Sequence, residues 1–147
     1  MAMKTGETTV LVVDDEDDDR SNIARILAAK GYAVLEANCY SDAMAVFDLN
    51  GKAVTLLITD LALPDGNGFS LALAIKKQKP DLRALFVSFQ VGMEYCKYYG
   101  LTVPNLHLLR KPFTESKLVK RIRRVFRADE PFPKLEIPKT LTSGQSF

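Results

Sequence analysis

Short runs of apolar residues alternate along this chain with longer stretches in which apolar residues recur every three or four positions. The short runs are typical of strands buried in a parallel sheet, and the longer stretches are typical of amphipathic helices. The short runs predict strands at residues 8–13, 32–37, 54–59, 82–89 and 105–110. The longer stretches predict helices at residues 17–30, 41–49, 69–78, 91–99 and 114–127. This alternation predicts an α/β fold in which a parallel sheet carries helices on both faces.

Local residue choices define several boundaries of these elements. Gly31 is placed to end the first helix, and Ser41 is a suitable N-cap for the second. The segment LPDGNG at 63–68 combines proline, asparagine and two glycines, which is typical of a turn. Residues 32–37 alternate as a strand near a sheet edge does. The last helix has one apolar face, formed by Leu118, Val119, Ile122, Val125 and Phe126.

The chain of 147 residues has the length and the hydrophobic fraction, 47%, of one globular domain. We expect a disordered lead at 1–7, the folded domain at 8–127, and a linker or extended tail at 128–147. Three prolines in the tail interrupt any helical period. Both a stand-alone domain and a fragment of a larger protein are consistent with this organisation.

Charge and cysteine content exclude several classes of protein. The 20 basic and 18 acidic residues give a net charge of +2, which argues against a dedicated nucleic-acid-binding or membrane-surface protein. Cys39 and Cys96 are not in a CxxC spacing, so neither a disulfide scaffold nor a zinc site is expected. No apolar run approaches the ~20 residues of a membrane span, and the segment MAMKTGETT has no signal-peptide core. We expect a cytoplasmic protein.

Polar residues that could carry chemistry stand at the ends of the predicted strands. In open parallel sheets, ligands bind outside the carboxyl ends of the strands. Asp14 and Asp15 follow the first strand, and Asp60 follows the strand at 54–59. Ser88 lies near the end of the fourth strand, and Lys111 follows the fifth. These five residues are therefore the candidate functional residues.

The motifs around these positions resemble the response-regulator receiver domain of two-component signalling. They are VVDDE (12–16), ITDLALPDGNG (58–68), FVS (86–88) and KPF (111–113). Each motif alone is common, but all four occur here in the family's order, each at a strand end. The resemblance covers residues 8–127. It implies a flavodoxin-like (βα)5 doubly wound sheet of order 2-1-3-4-5, in which the first and third strands are neighbours.

The resemblance also implies a Mg²⁺ site. Neighbouring first and third strands would bring Asp14, Asp15 and Asp60 together, and three adjacent carboxylates repel one another unless a proton or a cation intervenes. Mg²⁺ prefers oxygen ligands and keeps several waters. By resemblance, Asp15 and Asp60 would bind it directly, Asp14 would act through water, and the backbone carbonyl of Ala62 would supply a further oxygen.

Asp60 is the phosphoacceptor that the resemblance implies, taking a phosphoryl group from a phosphohistidine of a partner kinase. Lys111 and Ser88 would contact oxygens of that group, and the peptide bond between Lys111 and Pro112 is expected to be cis. A domain of this kind is a signalling switch and not an enzyme in its own right. The four acids Glu16–Asp19 have a simpler interpretation, because acids at a helix start complement the helix dipole.

Two positions depart from the family pattern. Leu108 occupies the place of a switch aromatic, and the bulky Phe89 follows Ser88 where the family has a small residue. A pseudo-receiver, which binds partners without phosphorylation, is therefore an alternative. Ala62 argues against a phosphatase, which would need an acid there, and the acids after the first strand argue against flavin binding. His107 is expected to be structural or exposed, so the donor histidine lies on another protein.

The last helix carries one acid, Glu115, and six basic residues, which are Lys117, Lys120, Arg121, Arg123, Arg124 and Arg127. This face is either solvated or part of a partner surface. The expected partners are a sensor histidine kinase or phosphotransfer protein, and a downstream protein or fused output domain. A homodimer could form through residues 91–127. Direct contact with nucleic acid or a membrane is not expected.

Overall fold

The computed structural model describes residues 8–89 and 107–128. The predicted lead at 1–7, the helix predicted at 91–99 and the tail beyond Ala128 lie outside these ranges. The strands are β1 (Thr9–Val13), β2 (Ala33–Ala37), β3 (Val54–Asp60), β4 (Ala62–Leu63), β5 (Gly66–Asn67), β6 (Arg83–Ser88) and β7 (Leu108–Arg110). The helices are α1 (Asp17–Ala29), α2 (Tyr40–Asn50), α3 (Gly68–Gln78) and α4 (Glu115–Arg127), with a 3₁₀ turn at Gly51–Ala53.

Five parallel strands form the central sheet in the order β2-β1-β3-β6-β7. These are the five strands that the sequence predicts, so the predicted flavodoxin-like order 2-1-3-4-5 is confirmed. The strand at 32–37 lies at one edge, as its alternating pattern indicates. Between β3 and α3, the predicted turn is a small antiparallel hairpin of β4 and β5.

The core consists of two apolar layers, one on each face of the sheet. Alternate residues of a strand point to opposite faces, so Leu11 packs with α2 and α3 while Val10 packs with α1 and α4. The layers are closed by large buried side chains, among them Phe47, Phe69, Ile23 and Leu118. Helices therefore cover both faces, as the alternation of elements predicts. Within the described ranges, no helix has both the length and the apolar character needed to cross a membrane.

The strand register aligns the carboxyl ends that carry the candidate residues. Val13 of β1 pairs with Thr59 of β3, so Asp14 and Asp60 follow at the same level. Ser88 of β6 pairs with Arg110 of β7, immediately before Lys111. Sheet register therefore places residues that are up to 97 positions apart in sequence at one edge.

The start of α2 differs from the prediction. Ser41 was expected to be the N-cap, but the helix begins at Tyr40 and Cys39 is the cap, its Sγ accepting a hydrogen bond from the Asp42 N–H at 3.4 Å. The Asp65 carboxylate explains the shift, because it accepts hydrogen bonds from the N–H groups of Tyr40 at 2.7 Å and Ser41 at 3.0 Å. These N–H groups have no partner within the helix, so an acid from the β4–β5 turn satisfies them.

The other predicted boundaries agree with the structure to within one or two residues, except that the strand predicted at 105–110 begins at Leu108. Helix α1 ends at Ala29, and Gly31 follows with a φ of 93°, a left-handed conformation that glycine adopts without strain. Helix α4 begins after Thr114, whose side chain accepts a hydrogen bond from the Lys117 N–H.

Candidate functional site

The site lies at the carboxyl edge of the sheet, where β1 and β3 are neighbours. Asp14 directly follows β1, and Asp60 is the last residue of β3. One carboxylate oxygen from each of Asp14, Asp15 and Asp60 lies within 4.8 Å of the others. Asp14 and Asp60 are 1% and 8% exposed, whereas Asp15 is exposed to solvent. The sheet therefore brings together the three acids that the sequence predicts.

Backbone hydrogen bonds fix the two buried carboxylates in place. Asp14 Oδ1 accepts from the Glu16 N–H at 2.9 Å, and Asp60 Oδ1 accepts from the Ala62 N–H at 3.0 Å. The backbone of Asp14 is held as well, because its N–H donates to the carbonyl of Ala37 and its own carbonyl accepts from Arg20 at 2.8 Å. Both carboxylates are thus oriented before any ligand binds.

Lys111 reaches this cluster from the end of β7. Its Nζ donates to Asp14 Oδ2 at 2.7 Å, to Asp60 Oδ2 at 2.8 Å and to Asp19 Oδ2 at 3.0 Å. Its backbone N–H donates to the carbonyl of Ser88 at 2.7 Å, and the bond to Pro112 is cis, as expected. The Lys111 side chain is 3% exposed, and because its donor is an ammonium these contacts are charge-assisted.

Burial and charge act on the ionisation of this group of residues in different ways. Burial raises the pKa of Asp14 above its ordinary value, and the nearby Asp60 charge adds to this, while the hydrogen bond from Lys111 opposes it. Burial alone would lower the pKa of Lys111, but its hydrogen bonds to three carboxylates outweigh burial and hold the pKa above its ordinary value. Lys111 is therefore charged at neutral pH, and a single ammonium shared among several acids leaves Asp14 incompletely compensated.

The donor set suits a hard divalent cation. Three aspartate carboxylates converge, and the single positive charge of Lys111, which pairs with Asp14 and Asp60, does not balance the charge of all three. Carboxylate oxygens are the ligands that Mg²⁺ prefers, and the exposed Asp15 leaves room for the waters that Mg²⁺ retains. Asp14, Asp15 and Asp60 fit such an ion, and Ala62, bonded through its N–H to Asp60, lies beside them.

Gly68, at the start of α3, allows the backbone to approach Asp60 closely. A Cβ at this position would clash with the carbonyl oxygen of Asp60 and would lie 3.0 Å from Cγ2 of Thr59. The Gly68 N–H donates to the carbonyl of Leu61 at 2.9 Å, which ties the helix to the end of β3. The close approach of α3 to the end of β3 thus explains the last glycine of the turn motif GNG.

Asp19 lies beside the site, although its sequence position predicts only a role at the start of α1. Its side chain is 40% exposed and contacts Lys111, whereas Asp18 is fully on the solvent side of α1. Helical spacing carries the missed signal, because residue 19 is four positions before Ile23 and seven before Ile26, both on the buried face. This spacing predicts that the Asp19 side chain lies on the face of α1 that packs against the sheet.

Of the two departures from the family pattern, Phe89 lies close to Lys111. Leu108 is half-buried, pairs with Phe86 of β6 and packs against the apolar layer that contains Phe86. Phe89 is 55% exposed, and the centroid of its ring lies 5.2 Å from Lys111 Nζ, within the range of a cation–π contact. Ser88 is buried at the end of β6. His107 lies elsewhere, where burial and the charges of neighbouring arginines lower its pKa.

Known proteins share both the sequence pattern and the fold. The sequence profile of the response regulator receiver domain matches residues 10–123. The chain is 34% identical over 125 residues to the phosphate regulon transcriptional regulatory protein PhoB of Pseudomonas aeruginosa, covering 84% of this chain and 53% of PhoB. It is 28% identical over 121 residues to the sensor kinase CckA of Brucella abortus (strain 2308), covering 82% of this chain and 13% of CckA.

Among solved structures, the non-phosphorylated HemR receiver domain from Leptospira biflexa superposes with a TM-score of 0.68 at 30% sequence identity. The match covers 84% of this chain and 98% of the HemR domain. The chain therefore spans a whole receiver domain but only part of the longer curated relatives. The profile covers most of this chain and the fold is that of the solved HemR receiver domain, so the chain belongs to the response regulator receiver domain family.

Proposed function

We propose that this domain accepts a phosphoryl group on Asp60 with the help of Mg²⁺ and thereby switches a partner-binding surface. One observation carries the proposal: a buried ammonium, Lys111 Nζ, bridges the carboxylates of Asp14 and Asp60, with the exposed Asp15 completing a three-acid cluster. An oriented carboxylate beside a fixed cation is the arrangement that phosphoryl transfer needs, because catalysis there consists of positioning and charge stabilisation.

The transfer starts from a phosphohistidine on a partner protein. A lone pair of an Asp60 carboxylate oxygen forms the new O–P bond while the P–N bond to the donor imidazole breaks. The imidazole keeps that electron pair and takes up a proton from solvent. When bound, Mg²⁺ neutralises charge on the carboxylates and on the phosphoryl oxygens. Lys111 binds one phosphoryl oxygen, and the hydroxyl of Ser88 donates a hydrogen bond to another.

Asp14, Asp15, Asp60 and the backbone carbonyl of Ala62 are the oxygens that we assign to Mg²⁺. The same residues assist dephosphorylation, so the domain is a switch and not an enzyme that turns over a separate substrate. We assign it to the cytoplasm, with a sensor histidine kinase or phosphotransfer protein as donor. The output is a downstream partner or a fused domain, and the surface of residues 91–127 is the one that we assign to partners or to a homodimer. We assign the tail at 128–147 the role of a linker.

The test is incubation with acetyl phosphate and Mg²⁺, followed by intact-mass measurement. Wild-type protein should gain one phosphoryl group that is labile in alkali, because acyl phosphates hydrolyse readily. Asp60→Asn removes the nucleophile and should gain none. An adduct of equal yield on both proteins would refute Asp60 as the acceptor.

A pseudo-receiver is the second candidate function, and one observation favours it. The Phe89 ring stands over Lys111, where the family has a small residue, and Leu108 replaces the switch aromatic. If wild-type protein forms no adduct under conditions that phosphorylate another receiver domain, binding without phosphorylation becomes the better assignment.

A further inference from the structure

The resting contacts of Lys111 leave its ammonium with no donor to spare. A lysine ammonium has three N–H groups, and three carboxylates accept from Lys111 Nζ at 2.7, 2.8 and 3.0 Å. A phosphoryl oxygen on Asp60 can take a hydrogen bond from Lys111 only when one of these contacts opens. The carboxylate that releases the ammonium therefore affects both the rate of phosphorylation and the stability of the phosphorylated state.

Asp19 is the acceptor that can leave most easily. It makes the longest of the three contacts, and its side chain is 40% exposed, against 1% for Asp14 and 11% for Asp60. A carboxylate that is already partly hydrated loses little when it turns toward water, whereas a buried one would be left uncompensated. Hydrogen bonds from backbone N–H groups also hold the carboxylates of Asp14 and Asp60. Asp19, on the first turn of α1, reaches the site through its contact with Lys111.

Repulsion between the Asp19 carboxylate and the phosphoryl group adds to their competition for the N–H donors of Lys111. A phosphoryl group adds negative charge beside Asp14, Asp15 and Asp19, and Lys111 and a bound cation offset part of it. The negative charge of Asp19 competes for the same ammonium and also repels the incoming group. Both effects favour the unphosphorylated site.

We propose that Asp19 is a positioning residue that holds Lys111 in the resting state and competes with the phosphoryl group for it, so that Asp19 limits phosphorylation of Asp60. This inference rests on the proposed function of Asp60. It also separates Asp19 from Asp17 and Asp18, which precede it in the acidic run of residues 14–19 and are exposed.

The experiment compares Asp19→Ala with Asp18→Ala, a matched control that also removes one acid from the first turn of α1. Beryllofluoride, which occupies a phosphoryl site on a carboxylate, is titrated at saturating Mg²⁺. Asp19→Ala should bind it roughly two- to fivefold more tightly than wild type, the range expected when one partly exposed ion pair is lost. Asp18→Ala should stay close to wild type, and Asp19→Glu, which restores a carboxylate, should return toward wild type.

A second readout needs no phosphoryl mimic. In ¹⁵N spectra of the resting protein, a buried ammonium with three acceptors exchanges its protons slowly enough to be observed. The Lys111 signal should persist in Asp18→Ala and should shift or broaden in Asp19→Ala. Equal behaviour of the two variants in both measurements would overturn the role of Asp19. If wild type and both variants all fail to bind beryllofluoride, the proposed function fails, and the ammonium spectra still decide whether Asp19 holds Lys111.

Discussion

Single carboxylates in the acidic run have different roles because their positions differ. Asp14 is buried and bonded to Lys111, Asp15 is exposed beside it, and Asp18 stands on the solvent side of α1. The sequence correctly predicted that Asp14 and Asp15 belong to a cluster with Asp60. It did not identify Asp19, because six consecutive acids look alike until the phase of the helix is applied to them.

Mg²⁺ binding should separate Asp15 from Asp18. Affinity for the ion should be weak, on the order of millimolar, because few protein ligands contribute and several waters remain. Asp15→Asn removes the charge of one proposed ligand and should weaken binding by about tenfold or more, equivalent to ~1.4 kcal/mol. Asp18→Asn changes the net charge by the same amount and should have little effect on Mg²⁺ affinity. Calorimetric titration with Mg²⁺ measures the affinity of both variants. Equal losses of affinity would contradict the different roles given to Asp15 and Asp18.

Lys111 should stabilise the fold when Mg²⁺ is absent. Lys111→Ala leaves Asp14 and Asp60 buried without their cation, and breaking a buried pair of this kind costs about 3–5 kcal/mol. The free energy of unfolding should therefore fall in the variant, and saturating Mg²⁺ should recover part of the loss. Mg²⁺ affinity should be unchanged or increased, because a competing positive charge is gone.

Chemical denaturation with and without Mg²⁺ measures the effect of Lys111→Ala. Lys117→Ala is a suitable control, since Lys117 is exposed on α4 and lies in no ion pair within 8–89 and 107–128. A variant of Lys111 as stable as wild type in metal-free buffer would mean that the three contacts of its ammonium do not hold the site together.

At the scale of elements, the sequence predicted every α-helix and strand of the described ranges except the β4–β5 hairpin, and it did not predict the 3₁₀ turn at Gly51–Ala53. Hydrophobic periodicity succeeded because each element buries a face, as α4 does with Leu118, Ile122 and Val125. The prediction for the N-terminus of α2 was wrong because the residue that accepts hydrogen bonds from its first N–H groups is remote in sequence. Asp65 lies 24 and 25 residues from the N–H groups that it accepts from, and a local capping rule does not include such a contact.

The turn between β3 and α3 should be intolerant of a side chain at Gly68. Gly68→Ala places a methyl group against the carbonyl of Asp60, so the end of β3 must shift. Because Asp60 is the proposed acceptor, the variant should lose phosphorylation with acetyl phosphate as well as stability. Gly51→Ala is the matched control, since the atom nearest to its Cβ would lie in the Phe47 ring at an ordinary 3.5 Å.

Phosphorylation rate and thermal unfolding of these two glycine variants are the measurements. If Gly68→Ala is phosphorylated as fast as Gly51→Ala, the close approach of α3 to Asp60 is not needed for the site.

At the scale of the whole molecule, topology assembles a site that no single segment contains. Sheet order 2-1-3-4-5 makes β1 and β3 neighbours, and the register sets Asp14 level with Asp60. The sequence predicted this arrangement through its motifs, since strand order is a long-range property that periodicity alone does not determine. Contacts between side chains, such as the Phe89 ring over Lys111 and the link from Lys111 to Asp19, required the packed structure.

The central claim is that Asp60 itself becomes phosphorylated, and reductive trapping tests it most directly. Wild-type protein is incubated with acetyl phosphate and Mg²⁺ and then treated with borohydride, which reduces an aspartyl phosphate to homoserine. Peptide mass spectrometry should find homoserine in place of Asp60 and unmodified aspartate at positions 14, 15 and 19. Omitting Mg²⁺ should suppress the product. Homoserine at another aspartate, or none anywhere when a control receiver domain is labelled in parallel, would contradict the account.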